Sequence, residues 1–283
     1  MKRKVKCGVG MGCLIFLAAI ICAPIVLVAF GSLKDNNELL DELLPVLAET
    51  AGLMDWKVLP IYPTLAHYKE LLIDTPQFYT VFFNSIQITA GILAGQLLVA
   101  VPAAWAFARF EFPCKKLVFT LYVVLMLMPF QVTMLPNYLV LNRMNLINTQ
   151  LSVILPGIFS TFPVFLMYRG FRDIPKSLIE AAKIDGAGEA AVFFKVGIPL
   201  GSSGILSALV LGFLDCWNMV EQPLAFLKDK SLWPLSLYLP EVDVSHAGLA
   251  FAASVITLIP AVFVFIMGQE YLEQGIVAAG IKE

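Results

Sequence analysis

Charged residues are missing from six long stretches of this chain. The uncharged stretches cover residues 13–33, 75–108, 117–142, 144–168, 196–214 and 247–269. A helix that crosses a bilayer needs about 20 consecutive apolar residues, so each stretch can supply one. We therefore expect an all-α, polytopic membrane protein with six transmembrane helices, near residues 13–32, 83–107, 117–138, 150–168, 202–221 and 247–268.

The positive charges lie mostly on one side of these predicted spans. With a cytoplasmic N-terminus, 13 of the 19 Lys and Arg residues lie in the inner segments 1–12, 109–116, 169–201 and 269–283. Lys and Arg accumulate in cytoplasmic segments of membrane proteins, so both termini are predicted to be cytoplasmic. The domain plan is then a cytoplasmic N-terminus (1–12), a first helix (13–32), an external loop (33–82), a transmembrane core (83–268) that includes a cytoplasmic loop (169–201), and a cytoplasmic tail (269–283).

The first predicted helix follows a basic start and could be confused with a cleaved signal peptide. Its apolar stretch is longer than the roughly 7–15 residues of a signal-peptide core, and no small-residue cleavage site ends it cleanly. We expect this helix to remain in the protein.

Composition supports a membrane protein and excludes several other classes. Only 14% of the residues are charged and the mean hydropathy is +0.83, whereas soluble chains carry about a quarter charged residues. The net charge of −2 argues against a nucleic-acid partner, which would require a basic face. Five Cys without a CxxC pair, together with two His, make a zinc site improbable. No metal or other cofactor is expected.

The longest predicted cytoplasmic loop begins with the pattern of a short helix. Asp173 can cap this helix, Pro175 suits its first turn, and good helix formers continue to Ile184. Gly186 and Gly188 then favour a turn.

A second short helix is predicted near residues 187–196, ending before Pro199. Glu180 and Lys183 are neighbours on one helix face, while Ala181 and Ala182 leave a surface with little side-chain bulk. Two interpretations are open: a solvated amphipathic loop, or a rigid docking element for a cytoplasmic partner.

This loop resembles the "EAA" loop of the permease subunits of binding-protein-dependent ABC importers. The segment EAAKIDGAG, followed by IPL, carries the resemblance. Other segments resemble the carbohydrate branch, of the maltose-transporter permease type: FNS (83–85), AFARFEFPCKK (106–116), MPFQ (128–131), INTQLSVILP (147–156), DCWNMVEQPLAFL (215–227) and QEYLEQGIVAAGIKE (269–283). The similarity extends from about residue 62 to the end. The chain departs from the usual pattern at Cys114, Asn145 and Ser203.

The resemblance implies the type I ABC importer permease fold and a place in the bacterial cytoplasmic (inner) membrane. It implies four partners besides the lipid bilayer: a second homologous permease subunit, an ABC ATPase dimer, an extracellular or periplasmic solute-binding protein, and a sugar. It also assigns coupling to the ATPase to Glu180, Ala181, Ala182, Asp185 and Gly186.

The residues agree with a transport subunit that takes its energy from a partner. The chain contains no G-x-x-x-x-G-K-[ST] phosphate-binding loop, so we do not expect it to bind ATP by itself. Catalysis lacks support as well, since no GxSxG occurs and the two histidines, His67 and His246, fall far apart in external segments. A surface histidine of this kind is usually inert.

Several polar residues fall within the predicted spans, where they are costly and often line a solute pathway. Trp217 and Asn218 could offer a sugar an aromatic face beside a planar amide. An equally weighted alternative is that such groups bond helix to helix. The candidate pathway residues are Asn84, Gln131, Asp215, Trp217, Asn218 and Glu221. Gly91 and Gly95, spaced as GxxxG, predict close helix packing.

Three other functions remain open. The same importer could carry another solute such as glycerol 3-phosphate, although a phosphorylated solute favours Lys or Arg within the spans and none is present. An ion-coupled carrier requires internal repeats or several buried carboxylates, and neither is apparent. An intramembrane enzyme requires convergent ionisable groups, whereas Asp215 alone is ionisable inside the spans, with Glu221 at the outer end of the fifth.

Overall fold

A computed structural model describes residues 2–47, 57–238 and 246–280 of the chain. Within these residues all regular structure is helical, which confirms the all-α prediction. The helices are α1 (Lys2–Gly31), α2 (Asn36–Leu47), α3 (Ala66–Lys69), α4 (Pro76–Arg109), α5 (Lys115–Met126), α6 (Phe130–Arg143), α7 (Leu151–Ile158), α8 (Thr161–Arg172), α9 (Lys176–Ile184), α10 (Glu189–Val192), α11 (Ile198–Leu200), α12 (Ser202–Trp217), α13 (Glu221–Phe226) and α14 (Ala247–Gly280). Two π-helical turns (Glu70–Asp74 and Phe193–Gly197) and two 3₁₀ turns (Lys230–Leu232 and Leu235–Leu237) complete the set.

Four helical stretches of the described chain are long and apolar enough to cross a membrane by themselves. They are Met11–Gly31, Pro76–Arg109, Leu151–Arg172 and Ala247–Leu272. Two further spans arise if each of two bent helix pairs crosses once, which gives up to six. Four to six spans agree with the predicted polytopic fold.

The first bent pair replaces the continuous helix predicted near residues 117–138. Helices α5 and α6 meet at an angle of 105°. Pro129 precedes α6 in an extended conformation, with φ −67° and ψ 151°. A proline has no N–H to continue a helix and disfavours helical backbone in the residue before it, so the chain turns here.

Two other predicted helices also end at breaks that prolines explain. The fourth is divided into α7 and α8 around Phe159, and the fifth ends at Trp217 before α13 begins at Glu221. Pro163 and Pro223 follow these breaks. In each case the proline ring would meet the carbonyl of the residue four positions earlier. At the start of the second span, Pro76 opens α4 well before residue 83, because proline suits the first turn of a helix.

The helix predicted to end before Pro199 instead continues to Leu200. It runs from Glu189 to Leu200 and bends by 66° into α12. The π-helical turn Phe193–Gly197 lies within it, and the Gly201 N–H reaches across Pro199 to the Gly197 carbonyl at 2.8 Å. The π-helical turn is wider than an α-helical turn and does not require a hydrogen bond from the Pro199 nitrogen. Pro199 can therefore remain inside the helix.

The described chain divides into two compact units, of which the first comprises Met1–Tyr79 and Leu239–Ile259. The first unit contains a buried ion pair between Lys34 and Glu42, in which Lys34 Nζ donates to the Glu42 carboxylate at 2.5 Å and also to the Lys57 carbonyl at 2.5 Å. His67 is buried and its Nε2–H donates to the Lys34 carbonyl at 3.0 Å. The expectation of a surface histidine is therefore wrong for His67, which helps to satisfy a buried polar backbone group.

The second unit comprises Thr80–Tyr238 and Pro260–Glu283. Its main core joins the end of α4 to α8, α12 and the segment around α9 and α10, with Trp105, Phe107, Met167, Phe171 and Val192 among its buried side chains.

The predicted close helix packing at Gly91 and Gly95 is confirmed. A Cβ atom on Gly95 would lie 2.3 Å from Ile158 Cγ1, and one on Gly91 would lie 3.2 Å from Ile154 Cδ1. Gly95 therefore lets α7 approach α4 closely, whereas a Cβ on Gly91 would require Ile154 to shift by only a few tenths of an ångström.

Candidate functional site

The second unit contains a cavity of about 1370 Å³. Helices α5, α6, α7, α8, α12 and α13 form its wall, together with Gln96 of α4. Typical small-molecule pockets have volumes of about 300–1,000 Å³. This cavity is therefore large enough for a solute of several sugar rings.

Three of the predicted pathway residues lie together on the cavity wall, where α12 ends and α13 begins. They are Asp215, Asn218 and Glu221, and each is exposed in the single chain. Asn218 ends α12, since its side-chain amide donates to the Leu214 carbonyl at 2.8 Å. Glu221 occupies the first turn of α13, where a carboxylate interacts favourably with the helix dipole.

A fourth predicted residue, Gln131, reaches this group from α6. Its Nε2 donates to Glu221 Oε1 at 2.9 Å. Gln131 does not itself line the cavity, whereas its neighbour Phe130 does. The hydrogen bond holds the Glu221 carboxylate in one orientation and leaves its second oxygen available to another donor.

The charge of the cavity wall is negative. Among the described residues that line the cavity, Asp215 and Glu221 are the charged ones, and Lys, Arg and His are absent. Asp215 makes no hydrogen bond or ion pair with the rest of the described chain. Two carboxylates on one wall attract hydroxyl donors or cations and repel anions.

Gln96 is a polar residue of the cavity wall that is only 4% exposed. Its Nε2 donates to the Gly157 carbonyl at 2.9 Å, while its Oε1 is buried without a partner in the described structure. Gly212 of α12 lies beside this amide, since a Cβ there would be 3.4 Å from that oxygen, an ordinary contact distance. Gln96 thus ties α4 to α7 at the edge of the cavity.

Sequence reasoning missed five polar residues of the wall, namely Thr133, Asn137, Ser160, Thr161 and Gln222. Most of them lie beside helix breaks, in the first turn of α6, where α7 passes into α8, or at the start of α13, whereas Asn137 directly follows Pro136 inside α6. A break exposes one side of the chain to a cavity, so the prolines at positions 129, 136 and 163 were the available signal.

Asn84 does not line the cavity; it links α4 to the segment around residues 231–233. Its amide nitrogen donates to the Ser231 carbonyl at 2.7 Å and the Trp233 carbonyl at 3.0 Å. Its amide oxygen accepts from Gln150 Nε2 at 2.8 Å. Because both N–H groups and the oxygen are engaged within the chain, Asn84 has the packing role that the alternative interpretation described.

Trp217 also lies in the packed interior rather than on the cavity wall. It is 3% exposed, stacks on Phe213 with ring centroids 5.5 Å apart, and meets Phe82 edge-on at 6.0 Å. The indole face that could have bound a sugar is therefore covered by Phe213.

The segment predicted to dock a partner forms α9, whose bounds agree with the predicted helix. Its C-terminus is a Schellman motif: the Ala187 N–H donates to the Ala182 carbonyl and the Gly186 N–H to the Lys183 carbonyl. Gly186 has φ +83°, a backbone conformation that favours glycine. The predicted cap at Asp173 is wrong, since Pro175 occupies the N-cap position and Asp173 ends α8.

One face of α9 is exposed and the other is held by the core. Ile179 and Ala182 pack against the core of the second unit. The exposed face carries Leu178, Glu180, Ala181, Ile184 and Asp185, and we name these five residues the α9 surface. Ile184 is 86% exposed and Leu178 is 46% exposed, so the α9 surface has an apolar part beside its carboxylates.

The charges of this segment are arranged so that the Glu180 carboxylate has no partner in the described structure. Lys183 pairs with Glu189 across the turn rather than with Glu180 on its own helix. Asp185 is likewise exposed without a side-chain partner among the described residues. Two carboxylates beside an exposed isoleucine are therefore presented outward.

Comparisons with known proteins agree with this geometry. The arabinooligosaccharides transport system permease protein AraQ of Halalkalibacterium halodurans is 27% identical, with 94% of this chain and 93% of that protein covered. The sn-glycerol-3-phosphate transport system permease protein UgpE of Yersinia enterocolitica is 29% identical over 72% of this chain and 74% of its own length.

The fold matches that of a solved transporter. In the crystal structure of a bacterial ABC transporter involved in the import of the acidic polysaccharide alginate, one chain superposes with a TM-score of 0.81. The match covers 96% of this chain and 98% of that chain at 20% identity. The predicted ABC importer permease fold is confirmed.

The family described as binding-protein-dependent transport system inner membrane component matches residues 88–278, which include the whole cavity wall and α9. On this match, the chain belongs to the family of inner membrane components of binding-protein-dependent transport systems.

Proposed function

We propose that this chain is one of two homologous permease subunits of an ATP-driven importer, which moves a sugar or oligosaccharide across a bacterial cytoplasmic membrane. The observation that carries the proposal is the α9 surface, an outward-facing patch whose opposite face is anchored in the core. Both termini and α9 then lie on the cytoplasmic side, as the distribution of Lys and Arg favours.

The α9 surface has the properties of a docking site for an ATPase dimer. Ile184 and Leu178 supply apolar area, and Glu180 and Asp185 supply carboxylates that a cationic or N–H donor of the partner can satisfy. The chain has no phosphate-binding loop of its own, so ATP binding and hydrolysis belong to the partner. Glu180, Ala181, Ala182, Asp185 and Gly186 are the proposed coupling residues.

Closure of the ATPase dimer would move α9 and, through the core behind it, the helices around the cavity. Protein interiors are close-packed and transmit displacement with little compression. We infer that this movement switches the cavity between inward-facing and outward-facing states, while a solute-binding protein delivers the solute from outside.

The cavity supports an uncharged, polyhydroxylated solute. Asp215, Asn218 and Glu221 offer acceptors and an amide to hydroxyl groups, and Gln131 orients Glu221. Transport of glycerol 3-phosphate is the second candidate, because UgpE is among the relatives. A phosphate would meet two carboxylates and no cation on this wall, so the charge of the cavity favours the neutral sugar.

Removing one of these carboxylates tests the role of the cavity. We expect Asp215→Asn to lower uptake about tenfold at subsaturating sugar, because a hydrogen bond to a charged group is worth about 1.5–3 kcal/mol. Uptake into proteoliposomes that contain the purified complex is the measurement. Asp229→Asn is the matched control, since Asp229 is exposed and does not line the cavity. Equal uptake by Asp215→Asn and wild type would remove Asp215 from the pathway.

The proposed machine can be tested by purifying the chain from gently solubilised native membranes and identifying what accompanies it. We expect a second permease, an ATPase and, after cross-linking, a solute-binding protein that holds a neutral carbohydrate. Mass spectrometry identifies both the proteins and the bound ligand. A chain that purifies without an ATPase even after cross-linking near Glu180 contradicts the importer, and a phosphorylated ligand contradicts the sugar assignment alone.

A further inference from the structure

We propose that Arg109 and Trp105, in the last turns of α4, are positioning residues. They hold the α9 surface in a fixed position relative to α4. The inference rests on the proposed coupling role of α9 and adds the connection through which a displacement of α9 reaches the cavity. Three local observations carry it.

Arg109 fixes the chain where α8 passes into α9. Its Nη2 donates to the Phe171 carbonyl at 2.5 Å and to the Ile174 carbonyl at 2.7 Å. The Phe171 carbonyl is one of the last four of α8, which lack partners within the helix, and a cation at a helix C-terminus is stabilising. Ile174 directly precedes Pro175, the N-cap of α9. One guanidinium therefore spans the hinge between the two helices.

Trp105 fixes the chain after α9 as well as before it. Its ring meets Phe171 of α8 at 5.3 Å and Phe193, in the π-helical turn, at 5.6 Å. The same ring lies so close to Gly197 that a Cβ atom there would be 2.6 Å from Trp105 Cζ3. The Arg109 guanidinium in turn lies 5.6 Å from the centre of the Trp105 ring, within cation–π distance.

These contacts attach both ends of the α9 segment to one helix. Residues 171–174 lead into α9 and residues 193–197 follow it, and both meet the last two turns of α4. The same helix contributes Gln96 to the cavity wall. A displacement of the α9 surface is thus transmitted to α4 and along α4 to Gln96. The α9 segment itself does not need to line the cavity.

The test compares Arg109→Met, which keeps the aliphatic length but removes every donor, with Arg109→Lys and with Arg143→Met. Arg143 is exposed at the end of α6 and forms no side-chain hydrogen bond or ion pair with the described residues, so it controls for the loss of one arginine. All three variants are made in the assembled complex. They carry spin labels at Leu98→Cys and Gly188→Cys, with the five native cysteines replaced.

Two quantities are measured on equal amounts of complex: the distance distribution between the labels, and the ratio of ATPase activity with and without loaded binding protein. We expect Arg109→Met to broaden the distribution and to lower the ratio at least fivefold, Arg109→Lys to recover part of both, and Arg143→Met to match the parent. Wild-type distributions and ratios in Arg109→Met would overturn the proposal.

A second variant keeps the proposal testable if Arg109→Met does not accumulate. Trp105→Phe retains an aromatic ring but withdraws the part of the indole that touches Gly197, and it is judged by the same two measurements. Wild-type values in Trp105→Phe would then overturn the proposal. If the parent complex itself contains no ATPase, the coupling role of α9 fails, whereas the label distance still decides whether Arg109 positions α9.

Discussion

The Glu180→Lys variant is expected to reach the membrane at the wild-type level and to lose ATP-driven uptake. Glu180 is exposed and has no partner in the described structure, and Lys has nearly the helix propensity of Glu, so folding should be unaffected. At an interface, truncating one member of a hydrogen-bonded charge pair costs about 2–5 kcal/mol, and reversing the charge adds repulsion. We expect ATPase association at least about thirtyfold weaker.

The measurement is the amount of ATPase that purifies with the permease, together with uptake into proteoliposomes. Glu111→Lys is the matched control, because Glu111 is 89% exposed, carries the same charge and forms a surface pair with Lys115. Such pairs contribute only about 0.2–1 kcal/mol, so this variant should behave as wild type. Unchanged association and uptake in Glu180→Lys would refute the coupling assignment.

The Gly204→Ala variant is expected to be markedly less stable, although the same change usually stabilises a helix. Helices α8 and α12 cross at two glycines, and a Cβ on Gly204 would lie 2.9 Å from the Gly170 Cα, a backbone atom that cannot move aside cheaply. Overpacking of this kind typically costs about 1–3 kcal/mol. The thermal midpoint of the detergent-solubilised protein should fall by roughly 2–12 °C.

Gly12→Ala provides the comparison, since Gly12 lies in α1 with no atom within 4 Å of an added Cβ. There the substitution should leave the midpoint unchanged or raise it slightly, because alanine is about 1 kcal/mol better than glycine inside a helix. Fluorescence-detected gel filtration after heating measures both variants. Equal midpoints in the two variants would show that the α8–α12 crossing tolerates a wider separation.

The sequence predicted the membrane class and the α9 segment well because both depend on local properties. Hydrophobic length alone locates candidate spans, and α9 has the predicted bounds because Pro175 and Gly186 set its two ends. The breaks at Pro129 and Pro163 were underestimated. A proline within an apolar stretch can be kept inside a helix, as at Pro102, or can divide it, and only the neighbouring helices decide which occurs.

The candidate pathway residues differ in their positions because packing, which the sequence does not show, decides where each one lies. Polarity within a span marks Asp215, Asn84 and Trp217 alike, because each is unusual in lipid. The packing of the helices gives them different environments. Asp215 faces the cavity, whereas Asn84 forms hydrogen bonds with Gln150 and two backbone carbonyls. Trp217 is covered by Phe213.

The sequence by itself determined that this is a multi-span helical membrane protein with an exposed EAA-type loop and without a nucleotide-binding motif of its own. These properties follow from the order of residues over one or two helical turns or one span length. Only the tertiary structure decided which polar groups line the same cavity and how α4 contacts the segments before and after α9. Such contacts join residues more than 60 positions apart, as between Arg109 and Phe171, and they depend on how packed helices cross.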